Sequence, residues 1–183
     1  MNPMLKIKGI PLNLRSSVVY LICDKFVFFY SYLLQNFIRY ISSKELADSN
    51  IVYADLYDFN YLLIVTEDGN LHQWSLEDWK ITKTYTGKQE FSKALMNLKV
   101  LNFSDETKAV VVATKNGKLF KVDINSKANA IQKIDANGKA SHDKEIYYIN
   151  FNPLTNILTT VSKNQIILYD MINQANYRKF SNF

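Results

Sequence analysis

A strand–turn–strand pattern that recurs four times in phase limits what this chain can become more than any other feature. The best-defined copy runs from Tyr61 to Lys88. The apolar run Leu62, Leu63, Ile64 and Val65 ends in Thr66-Glu67-Asp68-Gly69, a hairpin turn in which Gly69 takes positive φ without steric cost. A second strand carries Leu71 and Trp74. A turn at Glu77-Asp78-Trp79 leads to a third strand from Ile81 to Tyr85. A shift of 48 residues puts Gly69 on Gly117, Thr66 on Thr114 and Trp74 on Val122, giving a copy from Ala109 to Ile134. A further 47 puts Val122 on Tyr169, Asp123 on Asp170 and Gly117 on Asn164, the residue that best tolerates the left-handed backbone after glycine. A backward shift of 44 places Trp74 on Tyr30. The innermost strand ahead of three of the copies reads Ile51–Asp58, Leu98–Asp105 and Ile146–Pro153, with Leu56, Phe103 and Phe151 in register. A repeat of this length with four strands per unit predicts stacked four-stranded antiparallel sheets.

The order of an apolar strand, Asp-Gly, a strand ending in Trp plus a small polar residue, a turn and a further strand resembles the blade of a WD40 β-propeller. His142-Asp143 stands where those repeats carry Gly-His, and Ile146 to Pro153 is similar to their first strand. The resemblance implies an all-β, WD40-like β-propeller with blades at about 4–45, 51–88, 97–135 and 142–183, together one propeller region over 1–183. It implies blade-building roles for Thr66, Asp68, Gly69, Trp74, Gly117, Phe103, His142, Phe151, Tyr169 and Asp170. WD40 propellers usually have seven blades, about 300 residues at this period, so the four units read as part of a larger propeller, the alternatives being that another chain supplies the rest or that four blades close on themselves. The family's buried His, Ser/Thr, Asp and Trp network is degenerate: the Trp74 unit has Ala47 near its His position, and the His142 unit offers Thr160 and Tyr169.

The N-terminal part carries the one membrane-like signal. Val18 to Phe37 is apolar, but Asp24 and Lys25 interrupt it, and the unbroken part is too short for a spanning helix. Aromatic and β-branched residues predict strands at Ser17–Ile22, Phe26–Tyr32 and Asn36–Ser42 instead, the first two joined by a turn at Cys23-Asp24-Lys25. No membrane partner is expected. With 48% hydrophobic and 21% charged residues the composition is that of a globular protein. Cys23 is the only cysteine, which excludes an intrachain disulfide and a cysteine metal cage and points to a reducing cytoplasmic or nuclear setting.

Motifs of catalysis do not occur. There is no Gly-rich phosphate loop, no Gly-x-Ser-x-Gly elbow and no metal-binding spacing, and no cofactor is expected. His72 reads as a packed or partly exposed strand residue, and Glu67, Asp68, Glu77 and Asp78 as turn formers.

The net charge of +5 is concentrated: residues 80–144 hold thirteen lysines against six acids, a local +7. Lysine offers a point charge without the bidentate fork of arginine, which suits phosphates better than base edges. Lys115, Lys118 and Lys121 around one hairpin and Lys163 at the equivalent turn are therefore candidate RNA or phosphate contacts, against a solvated lysine-rich face as the alternative. In the same region Phe91-Ser92-Lys93, Val110 to Gly117 and Asp123 to Ser126 resemble part of the WD40 non-catalytic subunit of the tRNA (guanine-N7) methyltransferase. Where that family has an Asp-Arg-Asp-Glu run at its catalytic partner, this chain has Ser162-Lys163-Asn164-Gln165, so no partner-contacting residue is carried over. The expected function is a non-catalytic scaffold or adaptor that binds protein partners in a complex. The alternative is such a methyltransferase subunit, supporting the catalytic subunit and tRNA binding.

Overall fold

The structure is a computed structural model and describes residues 12–13, 18–57, 60–86, 95–102, 108–114, 116–124, 131–134 and 141–181. Every sheet has four antiparallel strands. The first contains β1 (Leu12–Asn13), β2 (Val18–Ile22), β3 (Phe26–Ser31) and β4 (Asn36–Ser42), in that order. The second contains β5 (Ile51–Tyr57), β6 (Tyr61–Thr66), β7 (Asn70–Ser75) and β8 (Lys80–Thr86). The third contains β9 (Leu95–Asn102), β10 (Lys108–Thr114), β11 (Leu119–Asp123) and β12 (Ile131–Lys133). The fourth contains β13 (Ile146–Asn152), β14 (Ile157–Ser162), β15 (Gln165–Asp170) and β16 (Ala175–Ser181).

Sequential neighbours pair throughout, so each sheet is a meander. The apolar segment expected to form strands does so as β2 and β3, with Asp24 and Lys25 exposed at the hairpin between them. No helix among the described residues is long and apolar enough to cross a membrane. Among the described residues the one helical element is a single 3-10 turn, Ser43–Leu46. Ser42 accepts from Lys44 N–H, and Glu45 accepts from the Ser42 N–H at 2.8 Å, a reciprocal cap written in the sequence as Ser-x-x-Glu.

The chain divides into two compact units, Met1–Thr84 and Tyr85–Phe183. In the first unit one face of the first sheet (Tyr20, Ile22, Val27, Phe29, Ile41) packs against the face of the second sheet that carries Ala54, Leu62, Ile64 and Trp74. Burial alternates strictly along β3, because successive side chains in a strand point to opposite faces. In the second unit Val111, Ala113 and Leu119 of the third sheet pack against Ile146, Ile149, Leu158 and Tyr169 of the fourth. The two cores use the same construction, a sheet face on a sheet face.

Two details differ from the sequence reading. The first strand of the third sheet runs Leu95–Asn102, three residues earlier than the expected start at Leu98. Phe103, the expected register residue of that strand, lies outside the described residues. The second difference is Asn164. Its φ is not among the positive values found here, so it does not replace Gly117. Ser162 Oγ donates to Asn164 Oδ1, just as Thr114 Oγ1 donates to Asn116 Oδ1, so Asn164 stands at the position of Asn116. The turn between β14 and β15 is one residue shorter than its counterparts, and no left-handed residue is needed to close it.

Candidate functional site

The polar residues singled out by the repeat gather at the hairpin between the second and third strand of each sheet and at the segment leading into that sheet. In the second, third and fourth sheets a hydroxyl at the end of the second strand organises the turn. Thr66 Oγ1 donates to Asp68 Oδ1 at 2.5 Å, Thr114 Oγ1 to Asn116 Oδ1 at 2.5 Å, and Ser162 Oγ to Asn164 Oδ1 at 3.4 Å. All three hydroxyl-bearing residues are buried. Gly69 and Gly117 close the first two of these turns with φ of 85° and 77°.

The second unit shows how such a turn is tied to its surroundings. The buried ring of His142 bridges two residues of β14, with Nδ1 2.8 Å from Ser162 Oγ and Nε2 2.8 Å from Thr160 Oγ1. Its backbone N–H donates to Gly117 O at 2.8 Å, which joins the segment before the fourth sheet to the hairpin of the third. Burial, reinforced by Lys179 and opposed by Asp143, holds the His142 pKa down to about 4, so the ring is neutral at physiological pH. The next residue clamps the turn further: Gln165 Nε2 donates to Asp143 Oδ2 at 2.8 Å.

The first unit reaches the same end by another route. The segment before the second sheet supplies Ser49, whose Oγ accepts from Asp68 N–H at 3.1 Å, but no histidine. The imidazole comes instead from the third strand. His72 on β7 is 4% exposed, with Nε2 3.2 Å from Thr66 Oγ1 and Nδ1 3.0 Å from Thr84 Oγ1. Because Thr66 gives its proton to Asp68, Nε2–H is the donor to Thr66, and Thr84 then donates to Nδ1. The Nε2–H tautomer thus completes the chain Thr84–His72–Thr66–Asp68 across three strands. Burial lowers the His72 pKa, with Asp68 opposing. At Asp68 partial burial pushes the pKa up, but hydrogen bonds from Thr66 and Asn70 and the nearby His72 outweigh it and leave the carboxyl below its ordinary value. The sequence reading placed His72 as a packed or partly exposed strand residue and missed its part in this hydrogen-bonded chain. Its signal is a histidine among apolar strand neighbours, flanked by two threonines that pairing brings to it.

Trp74 and Tyr169 occupy equivalent positions in the second and fourth sheets. Trp74 is buried in the core of the first unit and its ring meets Trp79 edge-on at 6.0 Å, while its Nε1–H has no hydrogen-bond partner. Tyr169 OH donates to Ile134 O at 3.3 Å, linking the fourth sheet to the end of the third. Phe151 is half-buried against the core of the second unit. The small polar residue after Trp74, after Tyr169 and after their counterpart Tyr30 in the first sheet closes the next turn. Leu34 N–H donates to Ser31 Oγ at 3.1 Å, Asp78 N–H to Ser75 Oγ at 3.0 Å, and Asn173 N–H to Asp170 Oδ1 at 2.9 Å. The residue four positions after each cap then turns left-handed: Gln35 (φ 51°), Trp79 (φ 57°) and Gln174 (φ 52°).

Lys118 and Lys121 are half-buried and already interact within the protein, whereas Lys163 is exposed at the β14–β15 turn. Lys115 lies outside the described residues. The hairpins that carry Lys118 and Lys163 both border the 142–144 segment, through Gly117 O and Ser162 Oγ respectively.

Among the described residues no group of three or more His, Cys, Asp or Glu is placed to hold a metal ion. Both histidines spend their ring nitrogens on internal hydroxyls and so order turns.

No protein-family model matches the chain, and no curated protein matches it in sequence. In three dimensions it resembles a chain in the crystal structure of the mitotic checkpoint complex, with a TM-score of 0.75 over 100% of this chain and 53% of that one, at 13% identity. The chain spans about half the length of that relative. The likeness and the four-stranded sheets define an all-β fold of the WD40-like β-propeller class. That fold is typically non-catalytic. It is also widespread, with 1364 matching chains of known structure, so it does not select a function by itself.

Proposed function

We propose that this chain is a non-catalytic scaffold that holds protein partners in a complex. The observation that carries the reading is the use of the polar groups. In both units the histidines and hydroxyls are consumed in fixing hairpin turns, which leaves ordered sheets with exposed turns and, among the described residues, no assembled reactive centre. Such a construction offers preordered surface at low entropic cost on binding. The similarity to a chain of a checkpoint complex agrees with work inside a multi-protein assembly. We further read the four units as a portion of a larger propeller region in a reducing compartment.

Affinity purification of the tagged chain from cells that express it, with and without ribonuclease, tests the proposal. A stoichiometric protein partner that survives ribonuclease is the expected result. Recovery of the chain alone, or of proteins released by ribonuclease, would overturn it.

The methyltransferase-subunit reading keeps one specific support, the approach of the Lys118 and Lys163 hairpins to the same segment. It requires tRNA binding that weakens steeply with salt, and a shallower salt slope after Lys118→Gln, Lys121→Gln and Lys163→Gln. Undetectable or salt-independent binding, with and without the catalytic partner, would remove it.

A further inference from the structure

The two ends of a sheet differ in chemistry. One end carries the hairpin between the second and third strands, with Asp24 and Lys25 in the first sheet, Glu67 and Asp68 in the second, and Lys163 and Asn164 in the fourth. The other end carries the turns between first and second and between third and fourth strands. Among the described residues, every exposed large apolar side chain that sits in a turn sits at this other end: Tyr32, Leu33 and Leu34 in the first sheet, Leu154 and Ile172 in the fourth. Sheets of this class stack through their faces, as both cores here do, so these tips stay bare however many sheets are stacked.

In the fourth sheet the two turns are neighbours, joined by Met171 N–H donating to Asn156 O at 3.1 Å. Leu154 is 92% exposed and Ile172 66%. Leu154 N–H donates to Asn152 Oδ1 at 3.0 Å and Ile172 N–H to Asp170 Oδ1 at 2.9 Å, so side-chain caps hold both tips in place. The turn itself does not require an aliphatic residue. Ser31, Ser75 and Asp170 are equivalent caps, and two residues after them stand Leu33, Glu77 and Ile172. Glu77 is exposed, so a solvated side chain closes the same turn equally well. One exposed aliphatic residue on a surface is ordinary; two on capped neighbouring turns form a preordered pair.

Charge decides what such a pair fits. Residues 152–156 and 171–174 include no charged side chain. The carboxylate beside them, Asp170, accepts from Ile172 N–H, Asn173 N–H and Asn173 Nδ2. A nucleic acid or an anionic bilayer needs cations that these turns lack. The tips are convex, so the surface that buries them is concave. We infer that Leu154 and Ile172 are paired anchors that seat this chain in an uncharged, apolar cleft of a protein partner. The inference rests on the scaffold reading and names the surface that does the holding.

The assembly recovered from cells through the tagged chain, after ribonuclease, tests it. Leu154→Asp with Ile172→Asp should lower the recovered partner at least tenfold, whereas Lys163→Glu at the opposite end should leave it unchanged. Raising the salt in the wash should release little of the partner, because no exposed charge pair holds it. A photo-crosslinking amino acid in place of Ile172 should join the chain to that same partner, and one in place of Lys163 should not. Should the double variant lose its strand circular dichroism, Ile172→Glu, which copies Glu77 of the second sheet, makes the same comparison. Retention of the partner by the folded variant, or crosslinking at position 172 to a second copy of this chain, would overturn the inference and leave the scaffold reading standing. A wild-type chain that recovers no partner at all would overturn both.

Discussion

At Gly117 two demands meet: φ is 77°, and a Cβ there would fall on the carbonyl group of His142 and within 2.8 Å of Lys144 O. Both obstacles are backbone, which cannot swing aside as a side chain would. Gly117→Ala is therefore expected to cost at least about 2 kcal/mol, read from the midpoint of urea unfolding. An unchanged midpoint would mean that the 142–144 segment does not sit against this hairpin. His142 gives the second residue-scale prediction. Its pKa is about 4 in the folded chain and near 6.5 when unfolded, so between these values the unfolded chain binds the extra proton. Its contribution is complete above about pH 6.5, declines as the pH falls, and is fully lost by about pH 4, a change of at most about 3 kcal/mol. Unfolding followed from pH 7 to pH 4.5 should show this decline, and His142→Asn should flatten it. His72 shifts in the same direction, so a smaller slope remains in the variant. Of these residues His142 was singled out by resemblance, because His142-Asp143 stands where WD40 repeats carry Gly-His. The role of His72 was not: its partners Thr66 and Thr84 lie 6 and 12 residues away and meet it only once three strands have paired.

The strands themselves were readable, because apolar runs of five to seven residues punctuated by Asp-Gly or an aromatic-polar pair have few other ways to fold. What could not be read was the length of each turn. The β14–β15 hairpin drops one residue, and a fixed shift of 47 placed Asn164 one position off. The shift changes from 48 to 47 within the turn, and only the hydroxyl-to-Asn hydrogen bond locates the change. The turns between third and fourth strands carry a testable strain. Gln35 and Gln174 adopt left-handed backbone at exposed sites, a conformation that costs a side-chain-bearing residue about 1–2 kcal/mol. Gln35→Gly and Gln174→Gly should each stabilise the chain by about 0.5–1 kcal/mol after the entropic penalty of glycine is subtracted. Trp79 has the same backbone geometry but a different balance. Its ring lies 5.0 Å from Phe29 and 6.0 Å from Trp74, and the Arg39 guanidinium stacks 4.1 Å from its centre. Trp79→Gly should therefore destabilise by about 3 kcal/mol or more, because lost packing outweighs relieved strain. Thermal midpoints of the three variants would separate strain from packing. A Trp79→Gly protein as stable as the two glutamine variants would contradict the assignment.

For the whole molecule, the sequence was explicit about the number of sheets and their internal order, and silent about partners. The difference is physical. Sheet formation follows from periodicity and turn chemistry, which act over tens of residues. A binding surface is assembled from exposed turns and edges whose residues are under no periodic constraint. The lysine run shows the limit: thirteen lysines in residues 80–144 offer either a phosphate-binding or a solvated face, and the half-buried Lys118 and Lys121 also engage within the protein. The central claim is that a stiff, repeat-built chain serves by holding other proteins and performs no reaction itself. The most direct measurement is the native mass of the assembly recovered from cells through the tagged chain after ribonuclease treatment. The account predicts a discrete species containing this 21.2 kDa chain and at least one different protein in whole-number ratio. A species containing this chain alone, whether single or self-associated, would contradict it.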